Sequence, residues 1–286
     1  MKNFSLLFLA IFSVFLISSC ENDKTGEPSK IKACSFNIRL DIPSDGMNQW
    51  SNRKESLINF LAVEQPDFIG FQEVLGNQLE DIENGLSKYA RIGVGREDGR
   101  NGGEYCPILI HKERFTLSDS GTFWLSETPS EPSKGWDAML NRICTWAVLT
   151  DTRNGEILHV YNTHFSHVGE LARLRSAELI MDSIRVKSAG VHVILTGDFN
   201  TEPGTDPYNA IIESGLSDSY ESDITLGPEG SFNGFQLTGP FNRRIDFIFT
   251  QGFHSEYYVC NSMLINDQYL SDHFPIISLL EYKEVN

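Results

Sequence analysis

The sequence predicts an α/β protein in which two packed sheets bury apolar strands and helices cover the outer faces. Three observations lead there. Apolar, strand-like runs recur from Ile31–Leu40 to Phe247–Thr250. Helical spacing is inserted between them, at Leu57, Phe60 and Leu61, at Leu79, Ile82 and Leu86, and over Glu170–Lys187. Finally, the span Ile31–Tyr282 contains no second linker and no internal repeat, which suits one large core.

The elements follow in order. Ile31–Leu40 reads as a strand whose Cys34, Phe36, Ile38 and Leu40 share one face, leaving Asn37 on the other in need of partners if buried. A helix from Ser51 ends before Pro66, and Pro66–Glu73 is a second strand whose end exposes Gln72 and Glu73. After the next helix, Tyr89–Gly95 is a strand, and the glycine-rich loop Arg96–Tyr105 brings Glu104 to the strand Cys106–His111. Phe115–Phe123 and Arg142–Thr150 are strands separated by a long irregular segment, Trp124–Met139, of a length typical of functional or mobile loops. Gly155–Phe165 ends in Asn162-Thr163-His164, and the helix Glu170–Lys187 offers Leu171, Leu174, Met181 and Ile184 to the core. Val191–Asn200 is a buried strand delivering Asp198 and Asn200 together at its end, with Phe199 turned inward. A short helix, Pro207–Ser214, and a glycine-rich loop, Gly227–Gly239, precede Arg243-Arg244-Ile245-Asp246 and the strand Phe247–Thr250. A last pair of strands flanks Ser271-Asp272-His273.

The ends and the overall charge narrow the setting. Residues 1–20 combine Lys2, an apolar run and Ile17-Ser18-Ser19-Cys20, the pattern of an export signal resembling a lipobox with a lipid expected on Cys20. Glu21 after that cysteine fits an exported lipoprotein of the outer membrane rather than inner-membrane retention. Residues 21–30 are a polar tether, and 31–286 form the domain. Without residues 1–19 the chain has 22 basic and 39 acidic residues, a net −17. That charge argues against tight nucleic-acid binding but leaves a nuclease open, because a local cation can carry the phosphate contact. Cys34, Cys106, Cys144 and Cys260 lack metal-type spacing and are expected as buried free thiols.

Taken singly, the polar strand ends have ordinary explanations. Asp198-Phe199-Asn200 is a good Asx turn, His164 a good hydrogen-bonded core histidine, and Asp246 a good surface ion pair with its arginines. His111, His159, His192 and His254 read as structural or solvated. Trp124, Trp136, Phe232 and Phe235 either rim a pocket or pack their loops down.

In sequence order, Ser35-Phe36-Asn37, Gln72-Glu73, Gly103-Glu104, Asn162-Thr163-His164, GDFN at 197–200, RIDFIF at 244–249 and SDHFP at 271–275 resemble the endonuclease/exonuclease/phosphatase superfamily. The likeness runs from Ile31 to Tyr282 and is closest to bacterial secreted or lipoprotein members. Those usually read Phe-Asp-His where this chain has Phe165-Ser166-His167.

The resemblance implies a four-layer α/β/β/α sandwich with mainly antiparallel sheets. It also implies hydrolysis of a phosphoester by a water activated with Mg²⁺ or Mn²⁺. Glu73 is the implied metal ligand, supported by Asn37 and Asp272, with Asp198 and Asn200 completing the polar cup. His273 is the general base or the orienting group, held by Asp246, and Asp198 competes for the base role. His164, with Glu104 as partner, stabilises the pentacovalent oxygen or protonates the leaving group. Arg142, ahead of Arg244, is the expected phosphate contact. The expected partner is a small or polymer-bound phosphate ester, such as a sugar phosphate, an inositol phosphate or a phospholipid head group, acted on by a protein taken as monomeric. A nuclease and a catalytically silent binding module are the alternatives.

Overall fold

Along the strands that end at Asn37, Gln72, His164 and Asp198 the side chains facing inward start apolar and end polar, and this gradient decides where the site lies. The computed structural model describes residues 29–188 and 190–285. The expected signal, Cys20 and the tether as far as Pro28 lie outside the described residues.

Among these, β1 (Lys30–Asn37), β2 (Phe68–Gln72), β3 (Tyr89–Ile92), β4 (Ile108–His111), β10 (Ile224–Leu226), β12 (Phe253–Cys260) and β13 (Ile276–Tyr282) form one sheet in the order β10-β12-β13-β1-β2-β4-β3. The second sheet contains β5 (Phe115–Trp124), β6 (Ile143–Asp151), β7 (Ile157–His164), β8 (His192–Asp198), β9 (Ser217–Asp218) and β11 (Asp246–Gln251), in the order β5-β6-β7-β8-β11-β9. Pairing is antiparallel except for β1 with β2, β7 with β8 and β10 with β12.

The helices α1 (Trp50–Glu64), α2 (Gly76–Gly85), α3 (Glu170–Lys187) and α4 (Asp206–Glu213) complete four layers. Between the sheets, Ile31, Ala33, Phe68 and Ile108 meet Leu158, Val160, Ile194 and Ile248. Cys34, Phe36, Ile69 and Phe71 face outward beneath Leu57, Leu61, Leu79 and Ile82 of α1 and α2. Tyr161, Val193, Leu195, Phe247 and Phe249 do the same beneath Ile180, Ile184 and Ile211 of α3 and α4. The central strands therefore bury both faces, and their unbroken apolar runs follow from that. All four described cysteines are buried and free.

Some local expectations shift. Leu171 is 46% exposed, and α3 instead turns Ala172, Ser176, Ala177, Ile180, Met181 and Ile184 inward. The Asp137 carboxylate accepts the backbone N–H groups of Leu171 and Ala172, which fixes the rotation of the helix as it starts. Small side chains then let α3 lie close to the sheet. β11 starts at Asp246, one residue before the expected Phe247, and β9 and β10 are too short to show in a sequence pattern.

One level below the polar end, Asn162 ties the sheets together. Its Nδ2 donates to the carbonyls of Phe71 (2.7 Å) and Pro107 (3.0 Å), and its Oδ1 accepts from Gln72 Nε2 (2.7 Å) and Thr196 Oγ1 (3.1 Å). Gly70 makes the approach possible, because a Cβ there would collide with Thr196 Oγ1 and lie 2.6 Å from Asn162 Oδ1. Gly70→Ala should therefore lower stability by about 1–3 kcal/mol, the usual range for overpacking. Urea denaturation reads this as a lower midpoint, and an unchanged midpoint would mean that the sheets are not in close contact here.

Candidate active site

The register of three neighbouring strands assembles the centre. His164 on β7 is level with Asp198 on β8, and Asp198 is level with Asp246 on β11. All three are buried and point between the sheets. From the opposite sheet, Asn37 ends β1 and donates through Nδ2 to Asp198 Oδ2 at 2.8 Å and to Glu73 Oε1 at 3.0 Å.

Each strand end is finished by a local device. Asp198 Oδ1 accepts the Asn200 backbone N–H at 2.9 Å, and Asn200 takes a φ of 48°, so the Asx turn is real and also serves the site. Phe199 between them is fully buried against Phe165, Phe247 and Phe249. Glu73 follows β2 with a φ of 61°, and its Oε2 accepts the Leu40 backbone N–H at 3.1 Å. Asp272 and His273 come from the loop before β13, which is anchored where Ser271 Oγ donates to the Asn37 carbonyl at 2.7 Å.

His273 Nδ1 donates to Asp246 Oδ2 at 2.8 Å, and its Nε2 lies 3.8 Å from Asp198 Oδ2. The same Asp246 oxygen accepts the Ser231 hydroxyl at 2.6 Å, while Ser231 Oγ accepts the Asp246 backbone N–H at 3.0 Å. Ser231 thus fixes Asp246; sequence reasoning missed it, the only signal being its place in the glycine-rich loop. Asn200 Nδ2 donates to His164 Nε2 at 3.1 Å, which leaves the ring proton on Nδ1.

Glu104 is near His164 but serves another partner. Its Oε2 accepts Arg96 Nη1 at 2.7 Å and stands 3.9 Å from His164 Nδ1, too far for a hydrogen bond. Arg142 is buried and borders the same cleft, which has a volume of about 530 Å³. Its Nε and Nη1 have no partner. Arg244 does not reach the cleft. Its Nη1 donates to the buried Asp218 carboxylate at 2.6 Å, and its guanidinium lies between the rings of Tyr220 and Phe247, so its role as a phosphate contact is corrected. The neighbouring Arg243 borders the cleft instead, over the ring of Phe232. Trp124 is buried with Nε1 donating to the Arg96 carbonyl, so it packs its loop down.

Charge in this dry cup is unevenly distributed. Burial, reinforced by the Asp246 charge, raises the Asp198 carboxyl to about 7. Burial also raises Glu104 and Asp272, the latter with help from the charge on Glu73. Burial and the charge of Arg142 hold His164 well below the usual imidazole range. Burial opposes the charged form of His273, but Asp246, Asp198 and Asp272 together outweigh it and push the ring up to about 10.

These donors fit a hard divalent cation. Ligand atoms of Glu73 and Asp198 lie within 4.8 Å of each other, and Asp272 adds a carboxylate that Glu73 repels; His164 meets the same distance condition, but its Nε2 is taken by Asn200. A second group, Asp198 with Asp246 and His273, meets the same distance condition, but there the histidine and aspartate already bond to each other. Asn37 Oδ1 accepts the Arg39 backbone N–H at 3.0 Å and its Nδ2 holds two carboxylates, so it orients the donors.

Comparison with known proteins agrees with this geometry. The profile of the Endonuclease/Exonuclease/phosphatase family matches residues 34–273. A structure of an endonuclease/exonuclease/phosphatase from Bacteroides vulgatus is 37% identical with a TM-score of 0.86, covering 89% of this chain and 100% of that one. A mannosyl-6-phosphatase from Bacteroides thetaiotaomicron is 34% identical with a TM-score of 0.84, covering 88% of this chain and 100% of that one. A probable RNA exonuclease of Saccharomyces cerevisiae is 29% identical over 63% of this chain and 38% of its own length.

In the metal-free protein, His273 should stay doubly protonated at about pH 8 and His164 should stay neutral at about pH 6, on either side of the ordinary value near 6.5. Nitrogen-15 spectra of the histidine rings across that interval check both. Two ordinary titrations would contradict the electrostatic account.

Proposed function

The chain belongs to the endonuclease/exonuclease/phosphatase family and is a hydrolase of phosphoester bonds; on that premise we propose that it is a divalent-cation-dependent phosphatase of small phosphate esters, sugar phosphates first. The observation that carries this is Arg142, whose desolvated, partnerless N–H groups share a cleft with the Asp198, His164 and His273 side chains. A buried guanidinium with free donors suits an anion of phosphate geometry. The likeness to a mannosyl-6-phosphatase and the acidic overall charge support a small ester over a polynucleotide. The likeness to a probable RNA exonuclease supports the alternative nuclease reading. Export, the lipid on Cys20, an outer-membrane location and a monomeric state belong to the same proposal, and the first two rest on residues 1–30.

In this mechanism Glu73 and Asp272 would hold a divalent ion, which would supply charge neutralisation at the phosphate. The chain does the rest. Arg142 binds the non-bridging oxygens to the same degree before and during reaction, and the His273 imidazolium offsets the charge that grows as a fifth oxygen arrives. Asp198 Oδ2 takes the proton of the attacking water, because His273 already holds protons toward Asp246 on one side and Asp198 on the other; the phosphorus–oxygen bond to the sugar breaks, and the departing alkoxide takes a proton from solvent. His164, held neutral, fixes the Asn200 amide that completes the cup. Asp246, locked by Ser231, keeps the His273 ring in place.

Purified protein with Mg²⁺ or Mn²⁺ should hydrolyse sugar phosphates and lose that activity in EDTA. Turnover of plasmid DNA alone would overturn the substrate class, and EDTA-resistant turnover would remove the cation. Asp198→Asn and His273→Ala should each lower kcat by about 10²–10⁴-fold with folding intact. Near-normal kcat in either variant would refute the role given to that residue.

A further inference from the structure

Arg142 immediately precedes β6, and His167 lies in the turn between β7 and α3, yet Arg142 Nη2 bonds to His167 Nδ1 at 3.0 Å. A guanidinium has only donors, so the histidine nitrogen must accept, and the neutral ring keeps its proton on Nε2. Burial and the positive charge of Arg142 hold the imidazole below its usual range, in keeping with a neutral ring. The turn that presents it is itself fixed. Ser166 Oγ accepts the Gly169 backbone N–H at 3.0 Å, and Arg173 Nη1 donates to the Ser166 carbonyl at 3.1 Å.

The consequence lies in what Arg142 has left. With Nη2 held, Nε and Nη1 are buried without partners, and an unanswered donor in that position is costly until an anion meets it. Repulsion from Arg96 and the attraction of Glu104 and Asp198 act on the same guanidinium. None of these neighbours hydrogen-bonds it, so its orientation depends on the one acceptor it has. His167 is exposed at the rim of the cleft, where it can act without carrying core packing.

We propose that His167 is a positioning residue, accepting Arg142 Nη2 through Nδ1 so that the guanidinium is held with an unpartnered donor for the phosphate of the substrate. The inference rests on the phosphoesterase reading and adds a residue to it. Without the acceptor the guanidinium can swing, and phosphate affinity falls while the chemistry at Asp198 and His273 is untouched.

The full-length protein with Mg²⁺ tests this through three variants. His167→Ala should raise the KM for a sugar phosphate and the inhibition constant of inorganic phosphate together, about tenfold, with kcat within about threefold. His167→Asn places an amide oxygen where Nδ1 stood and should recover most of both; His167→Gln, which reaches toward the Nε2 position, should not. Ring nitrogen spectra of the wild type should show the Nε2–H form at neutral pH. Unchanged KM and phosphate inhibition in His167→Ala, equal behaviour of the Asn and Gln variants, or an Nδ1–H ring would each overturn the proposal. If the wild type hydrolyses no phosphoester, the functional reading fails instead, and calorimetric titration of inorganic phosphate into wild type and His167→Ala still decides the role of His167.

Discussion

The level pairing of His164, Asp198 and Asp246 across β7, β8 and β11 is the constraint on which the site depends. Strand side chains alternate with a period of two, so a one-residue slip in either pairing would turn one of these groups out toward the helices. The apolar face of each strand fixes the register: Tyr161, Leu195 and Phe247 must lie under α3 and α4, which forces their neighbours inward. The same packing that secures the sheet therefore aims the polar triad. Phe199 does this work at the strand end, where its burial lets Asp198 and Asn200 converge through an Asx turn.

A second constraint follows from putting so many polar groups between two sheets. Each buried donor or acceptor must be answered or be costly. Asn162 answers four neighbours at once, and Asn37 joins carboxylates from two different elements. The atoms left unanswered are informative in the same terms. Among them, Arg142 Nε and Nη1 and His164 Nδ1 lie around the cleft, where a bound phosphate and cation change what they meet, whereas Gln72 Oε1 and Tyr258 OH lie away from it.

Much of this was legible in the chain. The apolar-to-polar gradient of VHVILTGDFN marked Asp198 as the end of a buried strand, and the helix Glu170–Lys187 was placed residue for residue. The layered fold and the family followed from GDFN, RIDFIF and SDHFP occurring in order. What escaped depends on partners distant in sequence. Arg244 shares the parity of Asp246, but β11 begins only at Asp246, so alternation does not extend back to it, and Asp218 captures its guanidinium. For Ser231 the glycine-rich loop was the only signal, because a hydroxyl there acquires meaning only beside the Asp246 carboxylate. Leu171 faces outward because a carboxylate 34 residues earlier sets the helix rotation.

The central claim is that phosphate is held between Arg142 and the Asp198–His273 pair, beside a cation on Glu73. Crystals soaked in Mn²⁺ with inorganic phosphate test it most directly. The account predicts an anomalous peak at the Glu73 carboxylate with Asp272 beside it, and phosphate density reaching from there to the Arg142 guanidinium. Manganese seated between Asp246 and His273, or phosphate bound away from Arg142, would contradict it.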